Sequence, residues 1–146
     1  MKRSTGLRNR ILSGSSVKDA LAGKVIKWYS GPEPATADSP LSGNTLLLTN
    51  TVNGDGTTGL TMAAVASGGQ LTKNPSEVWE GEIIASGTAT FFRMEGAADS
   101  GAASTTLERL QGSIGLAQSD LNTFSTSLLV GNTRRINTFV VSIPAG

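Results

Sequence analysis

Three carboxylates, Glu77, Glu80 and Glu82, fall within six residues of one another, and glycoside hydrolysis uses carboxylates in pairs. On a strand, Glu80 and Glu82 share one face, roughly 7 Å apart from the two-residue repeat. No aromatic cleft flanks them in the sequence, so they read as an acidic strand face turned to solvent. The chain has no histidine and no cysteine. That excludes Ser-His and Cys-His nucleophile pairs, imidazole acid–base chemistry and zinc held by His or Cys. Catalysis would fall to carboxylates, lysine or tyrosine. The reading is a non-enzymatic protein, with no catalytic residue, metal ligand or cofactor assigned.

Two further stretches carry candidate chemistry. Asn53, Gly54, Asp55 and Gly56 evoke a calcium loop. The EF-hand ligand at the first position and the closing glutamate are missing, whereas Asn-Gly and Asp-Gly are strong hairpin-turn formers, so a turn is expected. Trp28, Tyr29 and Trp79 are candidate stacking residues for a carbohydrate or peptide; the plainer reading of aromatics on an early strand is core and edge packing.

Charge is distributed unevenly along the chain. The net charge is only +1, which argues against a dedicated nucleic-acid binder. Seven of the 12 basic residues (Lys2, Arg3, Arg8, Arg10, Lys18, Lys24 and Lys27) nevertheless precede residue 28, against a single acid, Asp19. A basic arm of this kind docks on an acidic partner surface or on nucleic acid; alternatively it is the solvated face of an amphipathic helix. Charged residues make up 16% of the chain, fewer than the roughly 25% of an average domain. A surface rich in glycine, serine and threonine suits β-structure partly covered by neighbours. No run approaches the roughly 18 apolar residues that cross a bilayer, so no membrane partner is expected, and no secretion signal is readable.

These residues need elements to hold them. The spacing of Leu7, Ile11 and Leu12 predicts a short helix over about 6–13, with Thr5 as N-cap and Gly14 as its end. Ser15 or Ser16 then caps a second turn carrying Val17, Ala20 and Leu21, which Gly23 closes. From Lys24 the period becomes two, with Ile26 and Trp28 on one face of a half-buried strand and Lys27 and Tyr29 on the other. Pro32, Pro34 and Pro40 cannot lie inside a sheet, so they belong to an edge or a surface crossing. Residues 44–50 read as a buried strand, 60–65 and 78–84 as further strands, and 88–94 as a strand covered on both faces at the middle of the sheet. Residues 95–106 show no period and read as a mobile loop. Residues 107–116 resume as a strand. A hairpin at Gly131 and Asn132 is expected to join strands 125–130 and 134–143, leaving the C-terminus tied down. The sum is an all-β chain with two parts. Residues 1–23 form a basic helical arm, and residues 24–146 form a single β-sandwich or jelly-roll-like domain of about eight strands.

The stretch from Ile26 to Asp38, followed by Gly43, Asn44, Leu46 and Leu47, resembles a family of small virion proteins encoded by tailed bacteriophages and prophages. Its motif runs approximately Ile-Tyr-Ser-Gly-x-x-Pro-Ala-Thr-Ala-Asp and then Gly-x-x-Leu-Leu; Trp28 stands where a smaller apolar residue is expected. Similarity continues through Lys73 to Trp79, Gly87 to Arg93, Gln111 to Gly115 and Ser119 to Asn122. The resemblance implies a structural protein of the virion, assembled in the host bacterial cytoplasm. Its leading form is a head decoration or cement protein bound to the major capsid protein, with self-association into an oligomer. Lys2, Arg3, Arg8 and Arg10, with Trp28, Tyr29, Pro32 and Pro34 at the corner, are the expected partner-binding residues. The alternative is a tail- or fibre-associated module binding host surface glycans through Trp28, Tyr29 and Trp79, which requires those aromatics to be exposed together.

Overall fold

The computed structural model describes residues 1–144, and the fold is all-β with two short helices. Chain order begins with β1 (Lys2–Arg3), α1 (Thr5–Leu12), α2 (Val17–Leu21), β2 (Val25–Ser30) and β3 (Thr45–Val52). It continues through β4 (Gln70–Thr72), β5 (Trp79–Glu82), β6 (Gly87–Thr88), β7 (Phe91–Glu95) and β8 (Leu110–Gly115). The last strands are β9 (Leu121–Asn122), β10 (Ser127–Leu128), β11 (Thr133–Ile136) and β12 (Val140–Ser142). One eight-stranded sheet runs in the order β1-β8-β7-β2-β3-β5-β11, with β9 parallel to β8. The remaining strands form two ladders, β6 with β10 and β4 with β12.

Alternation sorts the large sheet into two faces. Ile26 and Trp28 of β2, Phe92 and Met94 of β7, and Leu110 and Ile114 of β8 enter the apolar core. A second layer closes over them: Leu7, Ala20 and Leu21 from the helices, Leu71 and Val141 from the β4–β12 ladder, and Leu128 and Phe139. Phe139 is the hub of the aromatic packing, 5.7 Å from the Trp79 ring and edge-on to Phe92 at 5.6 Å. Burial of this layer on the sheet supplies most of the driving force, at roughly 25 cal/mol per Å2 of apolar surface.

The first 23 residues are part of that packing rather than an arm beside it. Lys2 and Arg3 pair with Gln111 and Leu110. Ser4, not Thr5, caps α1: its hydroxyl accepts from Leu7 N and Arg109 N and donates to Leu107 O. Gly6 lies so close to residue 106 that an added Cβ would sit 2.3 Å from the Thr106 carbonyl oxygen. Ser16 caps α2, and Gly14 turns the chain between the helices at φ 104°, a region that suits glycine.

Three local expectations are corrected. Residues 60–65 give only isolated bridges, Leu60 to Lys24 and Met62 to Lys73. Strands 125–130 and 134–143 do not form a hairpin, because β10 pairs with β6 and β11 pairs with β5. The final segment also breaks at Asn137 and Thr138, so that β12 can join β4. Ala145 and Gly146, on which the tied-down C-terminus bears, lie outside the described residues.

Candidate functional site

Opposite the apolar face, β2, β7 and β8 present a layer of charge. Register places Lys27, Arg93 and Gln111 in one row across three strands, with Val25 opposite Glu95 and Tyr29 opposite Phe91 in the flanking rows. Two like charges side by side are unfavourable unless anions intervene, and they do. Lys27 Nζ lies 3.1 Å from Glu95 Oε1, and Tyr29 donates its phenol hydrogen to the same oxygen at 3.3 Å. Arg109, just before β8, grips Asp99. Arg93 donates to Gln111 Oε1 at 2.9 Å, and Gln111 donates to Glu33 Oε1 at 3.0 Å and Pro34 O at 2.8 Å.

Residues 31–44 strap across this layer. Arg93 donates to Ser39 O, and Arg109 donates to Ala37 O. Asp38 accepts from both the backbone N–H and the hydroxyl of Thr5. The proline-rich corner therefore lids the sheet, which is why it cannot be a strand. Residues 95–106, expected to be mobile, form the other half of the lid. Asp99 holds Arg109 and caps Gly101 N, Leu41 N bonds Gly101 O, and Ser104 N bonds Asp38 O.

Burial and charge compete here, and the outcome differs from group to group. Burial pushes the Glu95 carboxyl above its ordinary range despite Lys27. Asp99 is also raised by burial, but its hydrogen bonds from Arg109 and Gly101 outweigh this and hold it low. The Tyr29 phenol is pushed up, by burial first and then by Glu95. Arg93 Nη1 and Glu95 Oε2 are buried without a hydrogen-bond partner. Groups so enclosed hold the lid to the sheet.

The residues singled out in the sequence are scattered by the fold. Lys2 pairs with Glu33 at 2.9 Å and Arg10 with Glu108 at 3.0 Å, while Lys24 reaches the other oxygen of Glu108. Arg3 donates to Ser142 O, and the exposed Arg8 donates to the Thr5 hydroxyl. Much of the basic excess is thus neutralised by acids from later in the chain. Trp28, Tyr29 and Trp79 are 1%, 4% and 0% exposed. This corrects the stacking-platform reading: β2 is covered on both faces, and Tyr29 stacks on Phe91 under the lid. Pro32 is exposed and Pro34 half-buried.

Glu80 and Glu82 do share a face, as alternation requires, but Glu80 is bonded to Arg135 at 3.0 Å. Glu77 accepts from Thr61 N and Trp79 Nε1 and so anchors the indole. The Asn53 segment is a turn, in which the Asp55 carboxylate accepts from Thr57 and Thr58. Those bonds take its pKa down to about 2.

Sequence reasoning missed an exposed apolar rim. Ile84, Leu129 and Val130 are 59%, 63% and 55% exposed, and the bonds Ile83 N to Asn132 O, Gly131 N to Ile83 O and Val130 N to Ser86 Oγ bring them to one end of the sheet beside β11. The signal was available as aliphatic side chains flanking a turn, but it takes the long-range pairings of β11 with β5 and β10 with β6 to join the two segments. Comparison with known protein families, with curated proteins and with solved structures yields no match.

Proposed function

We propose that this protein is a non-enzymatic structural component of a tailed-phage virion, a head decoration protein that binds the major capsid shell. The virion setting rests on the resemblance carried by residues 26–47 and the later matching segments. The observation that supports a docking role is the exposed rim of Ile84, Leu129 and Val130. Large aliphatic side chains gathered on one edge are what a protein–protein contact buries, and many copies repeated over a shell add modest contacts into a large collective hold. Arg3 and Arg8, which form no ion pair among the described residues, supply the remaining basic contacts to an acidic shell surface. Lys2 and Arg10 are already paired with Glu33 and Glu108 of the same chain.

The test is addition of purified protein to heads that lack it. Wild-type protein is expected to co-sediment with heads, and the triple variant Ile84→Asp, Leu129→Asp, Val130→Asp is expected to stay in the supernatant while unfolding at an unchanged temperature. Undiminished binding by that folded variant, or labelled protein found on tails alone, would overturn the proposal.

A further inference from the structure

A cleft of about 660 Å3 opens between the turn after β9 and the link from β11 to β12. Phe124 stands at its mouth, 84% exposed. The guanidinium carbon of Arg134 sits 4.2 Å from the centre of that ring, backing one face and leaving the other open. Arg134 is itself 8% exposed, and its Nε is buried with no partner, an uncommon cost for a native structure. Phe139 is also part of the lining.

Polar groups ring the open face. Asn122 accepts from Ser119 N through Oδ1, which leaves its amide hydrogens available. Asn137 and Thr138 are exposed in the break between β11 and β12. Arg135 binds Glu80 through Nε and Nη2, leaving Nη1 toward solvent.

We propose that this cleft binds a saccharide. One face of a pyranose ring is a sheet of C–H bonds that stacks on an aromatic face, while its hydroxyl edge both donates and accepts. Phe124 meets the first; the amides of Asn122 and Asn137 and the hydroxyl of Thr138 meet the second. A phosphate-bearing ligand fits less well, because Arg135 is already neutralised by Glu80, and Asp120, which also lines the cleft, is itself an acid. The backing guanidinium fixes the ring as a platform, so less conformational freedom is lost on binding. This inference does not rest on the proposed role in the particle and fails separately from it.

The full chain, labelled with 15N, is to be titrated with cellobiose, maltotriose, chitobiose and a glucuronate-containing disaccharide. At least one is expected to shift the amide signals of Asn122, Phe124, Asn137 and Thr138, saturating in the millimolar range suited to an open cleft. Phe124→Ala, at an exposed position that leaves the remaining spectrum in place, is expected to weaken that binding about tenfold. The proposal is overturned if none of these sugars moves those signals, or if Phe124→Ala binds as the wild type does.

Discussion

Arg109 and Asp99 face each other through two charge-assisted hydrogen bonds, Nε to Oδ2 at 2.6 Å and Nη2 to Oδ1 at 2.7 Å, with side chains 0% and 3% exposed. Fork geometry of this kind is the strongest form of the carboxylate–guanidinium contact. Removing one partner leaves the other as a buried charge without its counter-ion. Arg109→Met is therefore expected to destabilise the protein by about 3–5 kcal/mol, read as a fall in the urea midpoint. The double variant with Asp99→Leu should recover part of that loss. A single variant that unfolds at the wild-type midpoint would show that the lid is not held by this pair.

Acid titration carries two opposing signs. Asp38 and Asp99 are held below the ordinary aspartate value of 3.8 in the folded protein, so their contribution is present above 3.8 and is lost as pH falls through the folded values. Glu95 is raised above the ordinary glutamate value of 4.5, so its contribution is complete below 4.5 and is lost as pH rises through the folded value. Stability is expected to climb as neutral protein is acidified toward 4.5, then fall once the aspartates take up protons. Glu95→Gln, which cannot ionise, should flatten the first limb and leave the second. Urea denaturation across a pH series reads both limbs, and an unaltered first limb in the glutamine variant contradicts the assignment.

Gly6→Ala separates helix propensity from packing. In an isolated helix the change would stabilise by up to about 1 kcal/mol, yet here the new methyl meets the backbone of Thr106 at 2.3 Å. Overpacking against backbone costs about 1–3 kcal/mol, so net destabilisation is expected. Asn9→Ala, at an exposed position of the same helix, should be neutral or slightly stabilising. Thermal unfolding of both variants decides whether the N-terminal segment is a structural part of the domain.

Much of the architecture was readable from local pattern. The switch from helical spacing to period two at Lys24 placed β2, and the helix expected over about 6–13 is found at Thr5–Leu12. Its cap moved to Ser4 because that hydroxyl also serves Leu107 and Arg109, more than 100 residues away in sequence. The same distance hid the charged layer. Lys27, Arg93, Glu95 and Arg109 look like surface residues until β2, β7 and β8 are set side by side, although a strand over 88–94 covered on both faces already implied that Arg93 needed partners. The strap over 31–44 was legible only as a proline-rich crossing, since which face it covers depends on the sheet beneath. Pairing partners of short strands such as β10 and β12 were not legible, because two or three residues carry too little pattern to choose a neighbour.

The strand order has a consequence for how the chain is made. β1 waits for residues 110–111 and β2 for 91–95, so the outermost pairing of the main sheet joins segments more than 100 positions apart. Such high contact order slows folding, and a ribosome delivering the N-terminus first releases Leu7 and Leu21 long before their cover exists. The helices must spend that interval as an unshielded apolar surface. Completion of the sheet therefore waits on residues 110–111, which have to emerge before the first strand finds its place.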